Sequence, residues 1–209
     1  RKSIKFEAGR YVPSSVEDSF IECEILGPAG EGQMDVLIVA APKDIVESRI
    51  KACELAGLEV ESVDIEPFAA YRSLVEASPY DDTKEQTVAL IDVGSSTTHV
   101  SVVHQGTFAM TRSIAQGGDT LTDALQKYFK LSREDAETGK TQLDLRELIN
   151  QSGPTENPPL RILQPHVDDL VREMRRSLNY YQSQQTESGK PAQVTHIMVT
   201  GGGAKLAGL

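Results

Sequence analysis

One segment combines an acid, a glycine and four hydroxyl side chains directly after an apolar run. The acid is Asp92, the glycine is Gly94, and the hydroxyl residues are Ser95, Ser96, Thr97 and Thr98. Gly94 lets the backbone approach an anion closely, and successive amides in such a turn can cradle phosphate oxygens. A carboxylate belongs beside phosphates only when a metal ion lies between them, so Asp92 would hold Mg²⁺ through water. A plain hairpin turn uses the same residue types, which leaves two interpretations of the segment taken alone.

A second glycine-rich segment, made of Gly201, Gly202 and Gly203, follows an apolar run near the end of the sequence. Without side chains these residues let a ligand lie directly against the backbone, and the free N–H groups of a helix beginning there would face it. The segment suits a nucleoside. The alternative interpretation is a flexible terminal tail.

Two further pairs have the residue types of a binding site. Glu137 and Lys140 are three positions apart and would project from one face of a helix, where a carboxylate can accept from ribose hydroxyls and an ammonium group can bind an oxygen nearby. In isolation such a pair is more often a solvated surface ion pair. Glu66 and Pro67 begin a helix, which in isolation indicates ordinary helix initiation.

The elements before these segments are predicted to form a small unit of strands around one helix. They are a strand at 21–25, a turn at 27–32, a strand at 35–41, a helix from Pro42 to a C-cap at Gly57, and a strand at 58–65. Residues 1–62 would therefore fold as a subdomain of their own.

The elements that position the candidate residues lie on both sides of a polar link and a predicted boundary near residue 80. They are a helix from Glu66 to Leu74, strands at 87–93, 98–103 and 108–114 with a turn at Gln105 and Gly106, a helix capped by Asp119, a long helix with an apolar stripe from Val167 to Tyr181, and a strand at 194–200. The two glycine-rich segments then both follow the ends of predicted strands.

Composition excludes several classes of protein. The 209 residues hold 31 acidic and 21 basic side chains, a formal charge of -10, and no basic cluster, which argues against nucleic acid as a partner. The longest apolar run, Val36 to Ala41, is far shorter than the roughly 20 residues of a membrane-spanning helix. Cys23 and Cys53 lie outside any CxxC pattern, so neither structural zinc nor a disulfide framework is expected.

The order of the four segments resembles the actin-like ATPase superfamily, which includes actin, Hsp70, sugar kinases and the division protein FtsA. In those proteins the corresponding segments are the interdomain helix, the second phosphate loop, a ribose-contacting helix and the adenosine loop. The stretches AGLEVESVDIEPFAAYRSL, SLNYYQSQ and GGGAKLAGL are more narrowly similar to the PilM family of type IV pilus assembly.

The resemblance implies an α/β fold, an incomplete actin-like ATPase fold with an α+β small subdomain of the FtsA 1C type. Residues 1–62 would be the 1C-like subdomain, residues 63–80 part of subdomain 1A, and residues 81–209 subdomains 2A and 2B, with 2B at roughly 121–180.

It also implies ATP and Mg²⁺ as cofactors and a role for each candidate residue. Asp92 would orient Mg²⁺ and water, Glu137 and Lys140 would contact the ribose, and Glu66 and Pro67 would begin the interdomain helix. The outer phosphates would contact Gly94, Ser95, Ser96, Thr97 and Thr98, and adenosine would contact Gly201, Gly202 and Gly203. No catalytic residue is assigned.

The function implied is that of a cytoplasmic adaptor in the machinery of twitching motility, peripheral at the inner membrane through its partners. It would bind the cytoplasmic tail of PilN and couple that platform to the pilus motor and other platform proteins. ATP would act as a conformational ligand with slow or no hydrolysis. The alternatives are a true ATPase or kinase of the superfamily and an FtsA-like division protein.

The superfamily also has a first phosphate hairpin before the segments matched here, and a last helix that closes subdomain 1A. We expect that tight ATP binding fails if the natural protein lacks the first phosphate hairpin.

Overall fold

The chain divides after Asp64 into two units, Arg1–Asp64 and Ile65–Leu209, in a computed structural model that describes residues 9, 15–30, 32–78, 84–150, 156–187 and 193–209. Both units contain helices and strands. The α/β class expected from the sequence is therefore confirmed.

The first unit is an antiparallel hairpin followed by one helix. Strand β1 (Ser19–Gly30) pairs with β2 (Gln33–Pro42), and helix α1 (Lys43–Leu55) follows directly. The predicted C-cap is confirmed, because Gly57 has a φ of 76° and the Leu58 amide donates back to Cys53.

Two predictions for this unit are wrong. Strand β1 continues through most of the expected turn to Gly30, with register shifts after Ile25 and after Pro28. Residues 58–65 form no strand, although apolar residues alternate there. In the described part of this unit β1 and β2 pair only with each other, and the alternating segment pairs with neither of them.

The second unit is built on a four-stranded sheet with the order β5-β4-β3-β6. Strands β3 (Thr87–Val93), β4 (Thr98–His104) and β5 (Thr107–Ile114) form an antiparallel meander, and β6 (His196–Thr200) pairs parallel to β3. The predicted turn at Gln105 and Gly106 is confirmed, because both residues have positive φ.

One face of the sheet packs against helix α2 (Glu66–Tyr71) and the π-helical turn that continues it, Arg72–Glu76. The buried residues on this side are Val75, Val88, Leu90 and Val103. The Tyr71 hydroxyl donates to the Gly106 carbonyl at 2.6 Å, and Phe108 packs edge-on against Phe68 with ring centroids 4.8 Å apart. These contacts hold α2 against the β4–β5 hairpin.

The remaining helices pack on the other face and at the end of the sheet. They are α3 (Gly118–Phe129), α4 (Arg133–Thr141), α5 (Arg146–Asn150) and α6 (Pro158–Glu187). Leu170 of α6 packs against Ile91 and Val93 of β3, and Leu121 of α3 packs in a cluster with Leu160 of α6. In the described residues no helix combines the length and apolar character needed to cross a membrane.

Several boundaries differ from the predictions, and β6, for example, begins at His196 rather than at residue 194. Asp119 does not cap α3, because Gly117 occupies the cap position and the Asp119 carboxylate instead accepts from Arg133 at 2.6 Å. Helix α6 begins well before its predicted apolar stripe, at Pro158, since proline is well tolerated in a first helical turn.

Candidate functional site

Asp92 and the first glycine of the C-terminal segment meet at the carboxyl end of the parallel pair β3 and β6, where Asp92 lies opposite Thr200. Gly201 has a φ of 86°, and a Cβ on it would collide with the Asp92 carboxylate and lie 2.5 Å from the Val93 carbonyl oxygen. A Cβ on Gly203 would collide with the Val93 side chain. The two glycine-rich segments therefore lie against each other at one edge of the sheet.

Gly202 has a different environment from its neighbours. In the part of the chain that is described, no atom lies within 4 Å of the position a Cβ would take, and the residue is exposed. Space is therefore open above the backbone at the centre of this segment.

The loop between β3 and β4 leaves backbone donors available. The Gly94 amide donates to the Thr97 carbonyl at 3.0 Å and closes the turn. The amides of Ser95, Ser96 and Thr97 donate to no acceptor among the described residues. Three successive amides without a protein acceptor have the donor set of an anion site.

The N-terminus of α3 holds this loop in place. The Gly118 amide donates to the Gly94 carbonyl at 2.9 Å, and the Asp119 amide donates to the Ser95 carbonyl at 2.7 Å. Gly117 lies so close that a Cβ on it would be 2.5 Å from the Gly94 oxygen and 2.6 Å from the Ser95 oxygen. Gly117 was not among the candidate residues, although a glycine pair before a helix is a signal that could have identified it.

The hydroxyl side chains of the loop differ in their surroundings. Ser95 and Ser96 are exposed. Thr98 is fully buried, and its hydroxyl donates to the Gln116 carbonyl at 2.8 Å. Thr98 therefore anchors the loop, whereas the serine side chains face outward.

Lys140 and Glu137 lie on one face of α4, next to this loop. The buried Lys140 ammonium donates to Glu137 at 2.7 Å, to the Thr122 hydroxyl at 2.9 Å and to the Gly118 carbonyl at 3.2 Å. The hydrogen bond from Lys140, followed by one from Thr122, lowers the pKa of Glu137 below its ordinary value. All three ammonium donors are used, so Lys140 fixes a half-exposed Glu137 and ties α4 to α3. Thr122 was also missed from the sequence.

Glu66 and Pro67 form the start of α2, with Pro67 buried in the first turn. The Glu66 carboxylate lies 3.1 Å from Nε2 of His99, and Nδ1 of His99 lies 2.9 Å from the Ser113 hydroxyl. His99 is the β4 partner of Asp92 in the strand register. The start of α2 is therefore linked to the strand that follows the loop.

The acidic side chains do not form a metal cage. Among the described residues no group of three or more His, Cys, Asp or Glu side chains is arranged to hold a metal ion. Mg²⁺ is commonly held by one or two carboxylates together with waters and substrate phosphates. Asp92 fits that type of site, beside backbone amides suited to phosphate.

Comparisons with known proteins agree with this arrangement. A family model described as type IV pilus assembly protein PilM matches residues 2–209. A solved PilM-PilN type IV pilus biogenesis complex contains a chain that is 25% identical, with a TM-score of 0.78, and the match covers 98% of this chain and 55% of that one. MreB5 of Spiroplasma citri bound to AMPPNP is 17% identical with a TM-score of 0.54, over 78% of this chain and 54% of that one, and it supports the fold alone.

Curated relatives point to the same superfamily. FtsA of Bacillus subtilis is 30% identical over 111 residues, which are 53% of this chain and 24% of FtsA. FtsA of Escherichia coli K12 is 22% identical over 194 residues, covering 85% of this chain and 45% of FtsA. The chain thus spans less than half the length of these relatives.

The structural neighbours have the actin-like ATPase fold, and the expected incomplete actin-like fold is confirmed. The family model covers nearly the whole sequence. The chain therefore belongs to the family of the type IV pilus assembly protein PilM.

Proposed function

We propose that the chain is part of a nucleotide-binding adaptor of type IV pilus assembly and that it binds ATP with Mg²⁺ at the carboxyl end of β3. The observation that carries this proposal is the convergence of Asp92, the open amides of Ser95 to Thr97 and the backbone of Gly202 at one edge of the sheet. A carboxylate, an anion cradle and an exposed glycine backbone are the groups that a metal-bound nucleotide requires.

Each candidate residue has a role in this proposal. Asp92 holds Mg²⁺ through water, and the amides after Gly94 bind the outer phosphates. Glu137 accepts from the ribose, because its second carboxylate oxygen has no hydrogen-bond partner in the described structure. Lys140 positions the Glu137 carboxylate for the ribose by donating a hydrogen bond to it. The glycines at 201–203 contact adenosine.

The subdomain assignment is part of the same proposal. Residues 1–62 would be a 1C-like subdomain, residues 63–80 part of 1A, and residues 81–209 subdomains 2A and 2B, with 2B at roughly 121–180. In this assignment α2 is the interdomain helix.

The partner we propose is the cytoplasmic tail of PilN. Its support is the similarity over 98% of the chain to a protein solved in a PilM-PilN complex. The protein would be cytoplasmic, would reach the inner membrane through PilN, and would couple this platform to the pilus motor of twitching motility. ATP would favour one conformation of the adaptor by binding that conformation more tightly, without a need for rapid hydrolysis.

Equilibrium titration of the full-length protein with a fluorescent ATP analogue and Mg²⁺ tests nucleotide binding. Gly202→Val is the sharpest variant, because its side chain would enter open space, leaving the fold intact while blocking the ligand. Gly139→Val, at another glycine with open space around its Cβ position, is the matched control. We expect Gly202→Val and Asp92→Ala each to weaken binding at least about tenfold, roughly 1.4 kcal/mol. Unchanged affinity in both variants would refute the site.

A second titration, with a peptide of the PilN cytoplasmic tail, tests the partner. We expect the full-length protein to bind the peptide and nucleotide to change the affinity for it. Absence of binding with and without nucleotide would contradict the adaptor proposal. Nucleotide turnover that rises on addition of a small-molecule acceptor would favour a kinase instead.

A further inference from the structure

The sheet face covered by α2 changes from apolar to polar toward the carboxyl end of β3. Leu90 lies opposite Ser101 of β4, whose hydroxyl is 2.9 Å from that of Thr111 on β5. One step further along, Asp92 lies opposite His99, and His99 lies opposite Ser113. Asp92 and His99 therefore share a face and are adjacent across the strands, at a separation typical of cross-strand pairs.

His99 is held on both sides of its ring. Nε2 lies 3.1 Å from Glu66 Oε2 on α2, and Nδ1 lies 2.9 Å from Ser113 Oγ on β5. An ionised carboxylate only accepts hydrogen bonds, so Nε2 must carry a proton, and the Ser113 hydroxyl can then donate to Nδ1. The His99 side chain is 15% exposed while that of Glu66 is 81% exposed, so the imidazole is the fixed member of the pair.

In this Glu66–His99–Ser113 bridge, His99 lies two residues after Thr97, the last residue of the loop with open amides. Thr98 precedes His99, begins β4, and is fixed by its hydrogen bond to the Gln116 carbonyl. Ordered backbone with no intervening flexible segment therefore joins the loop to His99. The contact of His99 with Glu66 extends this connection to the first turn of α2.

We propose that His99 is a positioning residue that couples occupancy of the loop after β3 to the first turn of α2. The inference rests on the nucleotide binding proposed above and adds a regulatory connection to it. A ligand that draws the amides of Ser95 to Thr97 toward itself alters the His99–Glu66 contact. The stability of residues 66–76 therefore differs between the nucleotide-free and nucleotide-bound protein.

Hydrogen exchange with mass spectrometry on the full-length protein tests this coupling. Exchange of the amides in residues 66–76 is measured with and without saturating Mg-AMPPNP, after saturation has been established by fluorescence for each variant. The variants are His99→Leu and Glu66→Ala, since alanine removes the acceptor oxygen that glutamine would retain. The matched control is His104→Leu, since His104 also lies on β4 but its ring contacts the Thr87 hydroxyl at 2.7 Å rather than a side chain of α2.

We expect nucleotide to change exchange across residues 66–76 about fivefold in the wild type and in His104→Leu, at the low end of couplings between sites. The change should fall to less than about twofold in His99→Leu and in Glu66→Ala, since loss of a linking residue removes part of such a coupling. Glu66→Ala is the deciding variant if His99→Leu does not fold, because the Glu66 side chain is largely exposed.

The outcomes separate the two proposals. If the wild type binds no nucleotide, both the nucleotide site and the bridge are refuted. If the wild type binds nucleotide but exchange at 66–76 does not change, the bridge alone is overturned. A full nucleotide response retained in Glu66→Ala overturns it as well.

Discussion

A side chain on Gly201 would occupy the position of the Asp92 carboxylate. The two residues are more than a hundred positions apart in sequence, yet β6 pairs in parallel with β3 and brings Thr200 opposite Asp92. Because parallel strands end at the same edge of a sheet, the loops that follow them share that edge. The adjacency of acid and glycine is therefore a consequence of strand pairing.

Gly201→Ala should destabilise the fold, whereas Gly202→Ala should not. Gly201 has a φ of 86° and no room for a Cβ, while Gly202 has open space. We expect Gly201→Ala to lower the free energy of unfolding by about 2–4 kcal/mol, from left-handed backbone strain and overpacking together. Denaturant unfolding followed by circular dichroism measures the difference. Equal stability of the two variants would contradict the described geometry.

Gly117→Ala tests the junction between the loop and α3. The residue has an extended backbone, so the cost comes from the approach of the new methyl group to the carbonyl oxygens of Gly94 and Ser95. We expect a loss of about 1–3 kcal/mol in the free energy of unfolding. Gly139→Ala, in the last turn of α4 with open space at the Cβ position, should instead raise the free energy of unfolding by about 0.5–1 kcal/mol, because alanine is a better helix former. A destabilised Gly139→Ala would show that this helix position is not open.

Much of the second unit could be predicted because its strands are short, apolar and bounded by turn residues. Thr87–Val93 agrees with its predicted bounds, since a buried strand reads as a nearly continuous apolar run. The strand expected at 58–65 does not form. Alternating apolar residues indicate that a segment could form one face of a strand, but they do not determine whether it pairs with another strand.

The candidate residues were selected from local composition, but their contacts depend on tertiary packing. Glu137 and Lys140 were identified by their spacing on one helix face. The burial of Lys140 arises from Thr122 and Gly118 on another helix, which no spacing rule relates to it. No local motif marks His99, because its contacts to Glu66 and Ser113 come from elements distant in the sequence.

Tyr71→Phe tests the attachment of α2 to the β4–β5 hairpin. The substitution removes the hydroxyl that donates to the Gly106 carbonyl at 2.6 Å but retains the ring that packs against Phe108. We expect a loss of about 0.5–1.5 kcal/mol in the free energy of unfolding, the net value of one such hydrogen bond. Tyr128→Phe, at an exposed tyrosine on α3, is the matched control and should leave stability unchanged. Similar effects in both variants would indicate that the Tyr71 hydroxyl bond contributes nothing specific.

Lys140→Met tests the ion pair between α4 and its neighbours, and pH separates the charge interaction from packing. Methionine fills the buried volume but cannot donate to Glu137, Thr122 or Gly118. We expect the free energy of unfolding to fall by about 1–3 kcal/mol near neutral pH, because buried acceptors lose their donor. The fall is smaller than that for breaking a fully buried ion pair, because solvent screens the half-exposed Glu137 carboxylate.

The pH dependence has a definite sign. The pKa of Glu137 is lowered in the folded protein from its ordinary value of 4.5, chiefly by the Lys140 hydrogen bond. The pair therefore stabilises the fold fully above pH 4.5, and this contribution is lost as the pH falls from there through the lowered pKa. The free energies of unfolding of wild type and Lys140→Met should thus differ most at neutral pH and approach each other in acid, where the bonds to Thr122 and Gly118 still distinguish them. Glu137→Gln should remove the same acid dependence. A difference between wild type and Lys140→Met that stays constant down to acid pH would mean that Lys140 acts through packing alone.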